Sequence, residues 1–274
     1  MAGLLEISKV SVEPLGQELH YRVTDSTTGT VVANVSPVAV GEPPQVSPLK
    51  RFGKRVMLGQ LAGWPHLRRH VPRITVLVTD ASNSPVMFLD RADKITGNPY
   101  ASQCAVIEPD GRVAGYLTDD HYKSPMPTAD VVDAEGMSIV GGRRHLRDQN
   151  GTAICDVVIR VAIPPLPGAL NYDENVDTTR FVGQDGTVWA RRRGQSPLLE
   201  ISPDTPYPIR RMIVASVIAD TITNDHQIVA SSSKNPLTPL QAVPDPYPGY
   251  ADVHSRYMEY QREFIEWYRK AMTG

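Results

Sequence analysis

Cysteine is almost missing from this chain: Cys104 and Cys155 are the only two among 274 residues. Two thiols alone make neither a disulfide framework nor a metal site. The opening MAGLLEISKV lacks a basic stretch followed by an apolar core, and neither end carries a lipidation pattern. The resulting expectation is a cytoplasmic protein with reduced thiols. Walker, G-x-S-x-G, H-E-x-x-H and paired C-x-x-C patterns are all missing. SSSK (231–234) has no S-D-N or K-T-G partner, and HLRDQN (145–150) has no Gly-rich loop upstream. The best acid/base group is DDHYK, with Asp119, Asp120, His121 and Lys123, which reads as an exposed turn after a strand. No enzyme, metal or cofactor is expected.

Acidic residues are absent between Glu42 and Asp80. Into that gap fall Lys50, Arg51, Lys54, Arg55, Arg68, Arg69 and Arg73, with His66 and His70 beside them. These seven come out of 28 basic residues, so the rest of the chain holds 21 bases against 30 acids, a balance of −9. Such an asymmetry orients a protein toward an anionic partner. Trp64 and Leu67 lie between the two basic groups, a combination suited to anionic lipid headgroups. The plainer account is a solvated loop whose arginines pair with acids elsewhere. A smaller set joins Arg143, Arg144 and His145 to Arg191, Arg192 and Arg193, each after a hairpin turn and expected to be exposed. No nucleic-acid motif accompanies these charges, so no nucleic acid is expected.

Twenty-four prolines and twenty glycines argue for many turns and few long helices. One unit returns along the chain: an apolar strand, usually an Asp, a short turn usually ending in Gly, and a second strand. It appears as VTDSTTGTVV (23–32), VTDASNSPVM (78–87), IEPDGRVAGYL (107–117), VVDAEGMSIV (131–140), LRDQNGTAIC (146–155) and FVGQDGTVWA (181–190). Gly, Asn and Asp tolerate the positive φ that tight antiparallel turns require. The recurring Asp is therefore read as a cap on the turn rather than as a calcium ligand. Six hairpins supply about twelve antiparallel strands, too many for a flat sheet, which leaves a barrel or a sandwich.

The order of these hairpins, the R-V-A-G-Y after an Asp-Gly turn, the D-A-E-G turn and P-Y-P-I-R-R ahead of an apolar helix resemble the tubby C-terminal-like superfamily. That superfamily includes the phospholipid scramblases and LURP-one-related proteins, and the similarity covers residues 18–228. It implies a mostly β fold: a closed antiparallel barrel of about twelve strands around a central hydrophobic helix. It also implies phosphoinositide binding on the barrel surface, as in tubby proteins. The chain departs from the scramblases in two places, having only Glu200 and Asp204 in LEISPDTPYP before the helix, and no cysteine cluster.

The apolar run is YPIRRMIVASVIADTI (207–222). Met212 to Ala219 are apolar all around except Ser216, and such a helix needs apolar surroundings. Pro208 suits a first turn, and Asn224 and Asp225 are expected to end the helix. From Ile209 to Ile222 the helix measures roughly 21 Å, short of the ~30 Å hydrocarbon core. A charged face for interfacial binding is also lacking, so a buried central helix fits better than an anchor. Arg210 and Arg211 are expected at the barrel mouth with their heads in water.

Residues 231–250 contain five prolines and read as an extended linker, after a barrel domain spanning 1–230. Beyond it, residues 251–274 form a C-terminal amphipathic helix. Val253, Tyr257, Tyr260, Phe264, Trp267 and Ala271 make its apolar stripe. That stripe either docks on the chain's own barrel or, on its Pro-rich tether, binds a partner or a second copy through Tyr257, Tyr260, Phe264 and Trp267.

The functional expectation is a non-enzymatic binding module for anionic lipid headgroups or a membrane surface. Its ligand-binding residues would be Lys50, Arg51, Lys54, Arg55, Arg68, Arg69, Arg73, Arg143 and Arg144, in a cytoplasmic protein peripheral at the membrane. The alternative is a structural or adaptor protein that docks a partner through its C-terminal helix. An enzyme centred on Asp119, Asp120 and His121 ranks third.

Overall fold

Five aspartates set the turns on which the fold is built. Asp25 accepts from the Thr27 N–H at 3.0 Å, Asp80 from Ser82 at 2.8 Å, Asp110 from Arg112 at 3.0 Å, Asp148 from Asn150 at 2.8 Å and Asp185 from Thr187 at 3.0 Å. Each turn also carries a residue at positive φ: Gly29, Asn83, Gly111, Gly151 and Gly186. Asn83 does in VTDASNSPVM what Gly does in the other four, as its tolerance of the left-handed region permits. The recurring Asp is turn chemistry.

The structure, a computed structural model, describes residues 3–17, 19–38, 73–92, 103–119, 137–139, 144–162, 177–193, 196, 198–232 and 246–273. Its strands are β1 (Lys9–Pro14), β2 (Tyr21–Asp25), β3 (Thr30–Pro37), β4 (Arg73–Asp80), β5 (Pro85–Ala92), β6 (Gln103–Ile107) and β7 (Val113–Asp119). They continue as β8 (Met137–Ile139), β9 (Arg144–Asp148), β10 (Ala153–Ala162), β11 (Asp177–Gly183), β12 (Val188–Arg193) and β13 (Leu199–Ile201). Two helices follow, α1 (Tyr207–Ser232) and α2 (Tyr250–Thr273).

Strands β1 to β7 and then β9 to β13 pair antiparallel in succession, and β13 returns to β1 through Lys9↔Glu200 and Val10↔Leu199. Twelve strands thus close into a barrel, which removes the open edges a flat sheet would leave. The thirteenth, β8, adds a short pairing to Arg160–Ala162 of β10. Five of the six expected hairpins are present. Of VVDAEGMSIV only Met137–Ile139 forms a described strand, and residues 131–136 lie outside the described residues.

Alternation sends one set of side chains inward. Tyr21 and Val23 of β2, Ile74, Val76 and Val78 of β4, and Met87 and Leu89 of β5 are all buried around α1. Met212, Ile213, Val214, Ala215, Val217, Ile218 and Ala219 are each at most 3% exposed, so the helix is surrounded on every side. Burying each larger aliphatic side chain contributes about 1.5–3 kcal/mol. Gly115 leaves room for both the helix and the neighbouring strand, because a Cβ there would stand 2.9 Å from the Met212 methyl and 2.3 Å from the Arg147 carbonyl.

Two expectations about α1 are corrected. Asn224 and Asp225 do not end it; the helix runs 26 residues to Ser232, since propagation from a formed segment costs little. Length therefore no longer argues against spanning, and enclosure by the barrel takes its place. Among the described residues no helix is long and apolar enough to cross a membrane. Arg210, moreover, does not reach water. It is 6% exposed and donates to the carbonyls of Ile7 (3.0 Å), Ser202 (2.6 Å) and Pro203 (3.2 Å), tying the entry of the helix to β1's approach and β13's exit. Arg211 pairs with Glu108 and lies over the Tyr207 ring at 5.1 Å.

The start of α2 docks on the barrel's outer face. β6 is buried on both faces: Cys104 and Val106 belong to the inner core, and Ala105 and Ile107 to an outer cluster with Tyr116, Tyr247, Val253 and Tyr257. Tyr247, which reads as part of a tether in the sequence, is 3% exposed, and its hydroxyl donates to the buried Asp90 carboxylate. Pro248 seats against Gly111, where a Cβ would meet its carbonyl at 2.6 Å. Tyr257 is 1% exposed, so this aromatic is occupied by the chain's own barrel and is not free to bind a partner. The side chains of Tyr260 and Phe264 lie outside the described residues, and Trp267 is 40% exposed.

Candidate functional site

Antiparallel order sorts the connections onto two ends of the barrel. One end carries the five Asp turns and the entry of α1. At the other lie the long connections, between Pro37 and Arg73, Ala92 and Gln103, Asp119 and Arg144, and Ala162 and Asp177. Here α1 leaves the barrel past Ala219 and Asp220.

A cleft of about 40 Å³ opens at this exit, lined by Arg91, Leu117, Arg144, Ser216, Ala219 and Asp220 among others. Register explains its floor. Arg91, Cys104, Leu117, Leu146 and Cys155 stand opposite one another in turn across five strands, one inward-facing row above the apolar core. Burial, with Asp156 adding to it, pushes the Cys155 thiol up to about 12, which leaves it inert at neutral pH. Arg91 is the charged member of the row, 7% exposed, and donates to the Ala219 carbonyl of α1. Arg144 reaches both carboxylate oxygens of Asp220 at 3.4 Å, with both side chains about one-third exposed. Thr118 and His145 line the cleft from neighbouring positions, yet their side-chain bonds run elsewhere: Thr118 accepts from Arg147 at 3.0 Å, and His145 Nδ1 bonds Asp156 at 2.7 Å.

The expected basic residues fare unequally. Lys50, Arg51, Lys54, Arg55, Arg68, Arg69 and Arg143 lie outside the described residues. Arg73 is the first residue of β4 and stands opposite Ala92, so the connection that bears Lys50 to Arg69 leaves and re-enters the barrel at the long-connection end. Arg144 lines the cleft rather than standing exposed after a turn. Arg191 and Arg193 contact Glu200 at 3.3 and 3.6 Å, and Arg193 also approaches Asp177 at 3.8 Å. Burial alone would raise Glu200, but Arg193, Arg191 and Lys9 outweigh it and hold the carboxyl below its ordinary value. Arg191 is exposed as expected after a hairpin turn, while Arg192 and Arg193 are partly buried.

In the acid/base group Asp119 ends β7 opposite Arg144, while Asp120, His121 and Lys123 lie outside the described residues. Asp148, within HLRDQN, caps the β9–β10 turn. No group of three potential metal ligands occurs among the described residues.

Arg91, Ser216 and Asp220 were not singled out as site residues from sequence. A signal existed for each: a charge at an inward position of FLDRA, and the polar interruption and polar end of an apolar run. Comparison with protein-family models, curated proteins and solved structures gives no match.

Proposed function

We propose that the chain is a non-enzymatic binding module of the tubby and scramblase-like type, whose long-connection end meets anionic lipid headgroups or a membrane surface. The carrying observation is the end of the barrel from which the basic segment departs, opposite the Asp turns. Asp25, Asp80, Asp110, Asp148 and Asp185 occupy one end. Pro37 and Arg73 bracket the segment bearing Lys50 to Arg69 at the other, the end where Arg91 and Arg144 also stand. Asp119, Asp177 and Asp220 also lie at that end, so the attraction rests on the basic segment itself, where each Lys or Arg contributes about 1 kcal/mol at a negative surface and salt screens it. Lys50, Arg51, Lys54, Arg55, Arg68, Arg69 and Arg73 carry the contact in this reading. The closed twelve-stranded barrel around a hydrophobic helix supports it as the architecture the resemblance implies. The protein would work in the cytoplasm, peripheral at the membrane.

Trp267, exposed on the second half of α2, favours a second reading in which that half binds a protein partner or a second copy. Co-sedimentation with phosphatidylcholine vesicles, with and without phosphoinositide, tests the first reading. Phosphoinositide-dependent binding that weakens with salt is expected, and no binding at low salt contradicts it. Loss of self-association or of captured partners on deleting residues 258–274 would instead favour the second.

A further inference from the structure

The outer wall formed by β1, β13 and β12 gathers more positive charge than its acids neutralise. Leu199 and Ile201 turn into the core, so Glu200 between them points outward. In register with it stand Lys9 of β1 and Arg191 of β12, and Arg191 in turn faces Arg180 of β11. Like charges directly opposite destabilise a sheet, so that last pairing needs a reason. One carboxylate, Glu200, receives Lys9 at 3.5 Å, Arg191 at 3.3 Å and Arg193 at 3.6 Å. Arg193 also approaches Asp177 at 3.8 Å, but that carboxylate already accepts from Arg180 at 2.9 Å. The Glu200 contacts are all longer than the roughly 2.7–2.9 Å of a good charge-assisted bond. Arg191 spends only its Nε–H on Glu200, and its two terminal amino groups make no bond among the described residues. A guanidinium grips an incoming carboxylate with such free donors. The side chains of Lys9, Arg191 and Arg193 are 46%, 45% and 38% exposed, so all three are open to a partner.

We propose that this wall binds an extended acidic segment of a protein partner, with carboxylates at alternate positions. Arg191 and Arg193 lie two residues apart on one face of a strand, roughly 6.6 Å, which is also the spacing of alternate side chains along any extended chain. Lys9 and Arg191 flank Glu200 across two interstrand steps, roughly 9.5 Å. A single compact anion cannot touch all three cations, and Glu200 between them repels it. Acids spaced along a chain instead pass to either side of Glu200. Charges of this kind set association rate and salt dependence more than raw affinity, so the contact is transient and weakens with salt. The surface is independent of the lipid reading, whose contacts lie in the segment bearing Lys50 to Arg69.

The test measures binding of the full chain to a labelled peptide of alternating Glu and Ser, by fluorescence anisotropy at low salt, with the matching Gln and Ser peptide as control. Binding of the Glu peptide alone is expected. Arg191→Gln with Arg193→Gln should weaken it about tenfold, and Glu200→Gln, which removes the competing carboxylate, should tighten it about threefold. That second variant separates a binding wall from a merely structural ion cluster, and it decides the matter if the arginine variant fails to fold. No binding of the Glu peptide at low salt, undiminished binding by the folded arginine variant, or unchanged or weaker binding by folded Glu200→Gln each overturns the proposal. Displacement of the peptide by inorganic phosphate at equal concentration would mean a compact anion site and overturns it too. So would phosphoinositide vesicles that depend on Arg191 and Arg193 while the peptide is ignored, since the wall would then face lipid.

Discussion

The Tyr257 hydroxyl accepts from the Ala105 N–H at 2.9 Å and donates to the Asp90 carbonyl, residues that face each other across β5 and β6. One side chain of the C-terminal helix thereby satisfies the backbone of two barrel strands 152 and 167 residues earlier. Tyr257→Phe keeps the ring and leaves a buried N–H unmade, at a cost of about 1–3 kcal/mol. Denaturant unfolding should show that loss, and the Ala105 amide should exchange faster. Unchanged exchange at Ala105 would mean that the helix does not dock there in solution.

Gly111 should control the same docking from its other end. At φ +90°, with Pro248 in the space a Cβ needs, Gly111→Ala strains the β6–β7 turn and pushes the 246–250 segment away. Limited proteolysis should cut near Tyr247 sooner in this variant, with the barrel fragment persisting. Equal protection in both proteins would contradict the contact.

Acid should weaken the fold through its turns. Thr27 and Thr28 hold Asp25 below its ordinary value; Ser82 and Ser84 do so for Asp80, Arg112 for Asp110, and Thr187 for Asp185. Each carboxyl ionises more readily folded than unfolded. Its contribution is therefore complete above the unfolded pKa near 3.8 and is lost as pH falls through the lower folded value. Stability measured from pH 6 to pH 2 should fall below about pH 4, and Asp80→Asn, which keeps an acceptor without the titration, should flatten that fall. A profile identical to that of the parent protein would remove Asp80 from this account.

Val214 is fully buried within the barrel. Replacing it with Asp places a carboxylate where several kcal/mol of desolvation go uncompensated, against a typical total stability of about 5–15 kcal/mol. The variant should be unfolded by circular dichroism. A soluble, folded Val214→Asp protein would contradict a core helix and favour one that inserts elsewhere.

The barrel was legible because its signals are local: Asp and Gly fix each turn within a few residues, and alternation fixes the inward face. The core helix was legible because an apolar run without a polar face can only be enclosed. What escaped depends on partners distant in sequence. Arg210 finds the Ile7 carbonyl 203 residues away, and nothing in RR at the head of a helix foretells that. The fate of Tyr247 was obscured by its prolines, although QCAVI, apolar at consecutive positions of a strand, signals that β6 is covered on both faces. The cleft required three elements, β5, β9 and α1, to meet at one mouth, and sequence placed Arg91, Arg144 and Ser216 in three unrelated stretches.

The lipid reading meets its most direct test in a variant stripped of six basic charges, with Lys50, Arg51, Lys54, Arg55, Arg68 and Arg69 all changed to Ala and folding checked by circular dichroism. Six charges at about 1 kcal/mol each amount to several orders of magnitude in affinity. Co-sedimentation with phosphoinositide-containing vesicles should therefore fall from saturable binding to the level seen with phosphatidylcholine alone. A folded variant that binds those vesicles as the parent does would contradict the account.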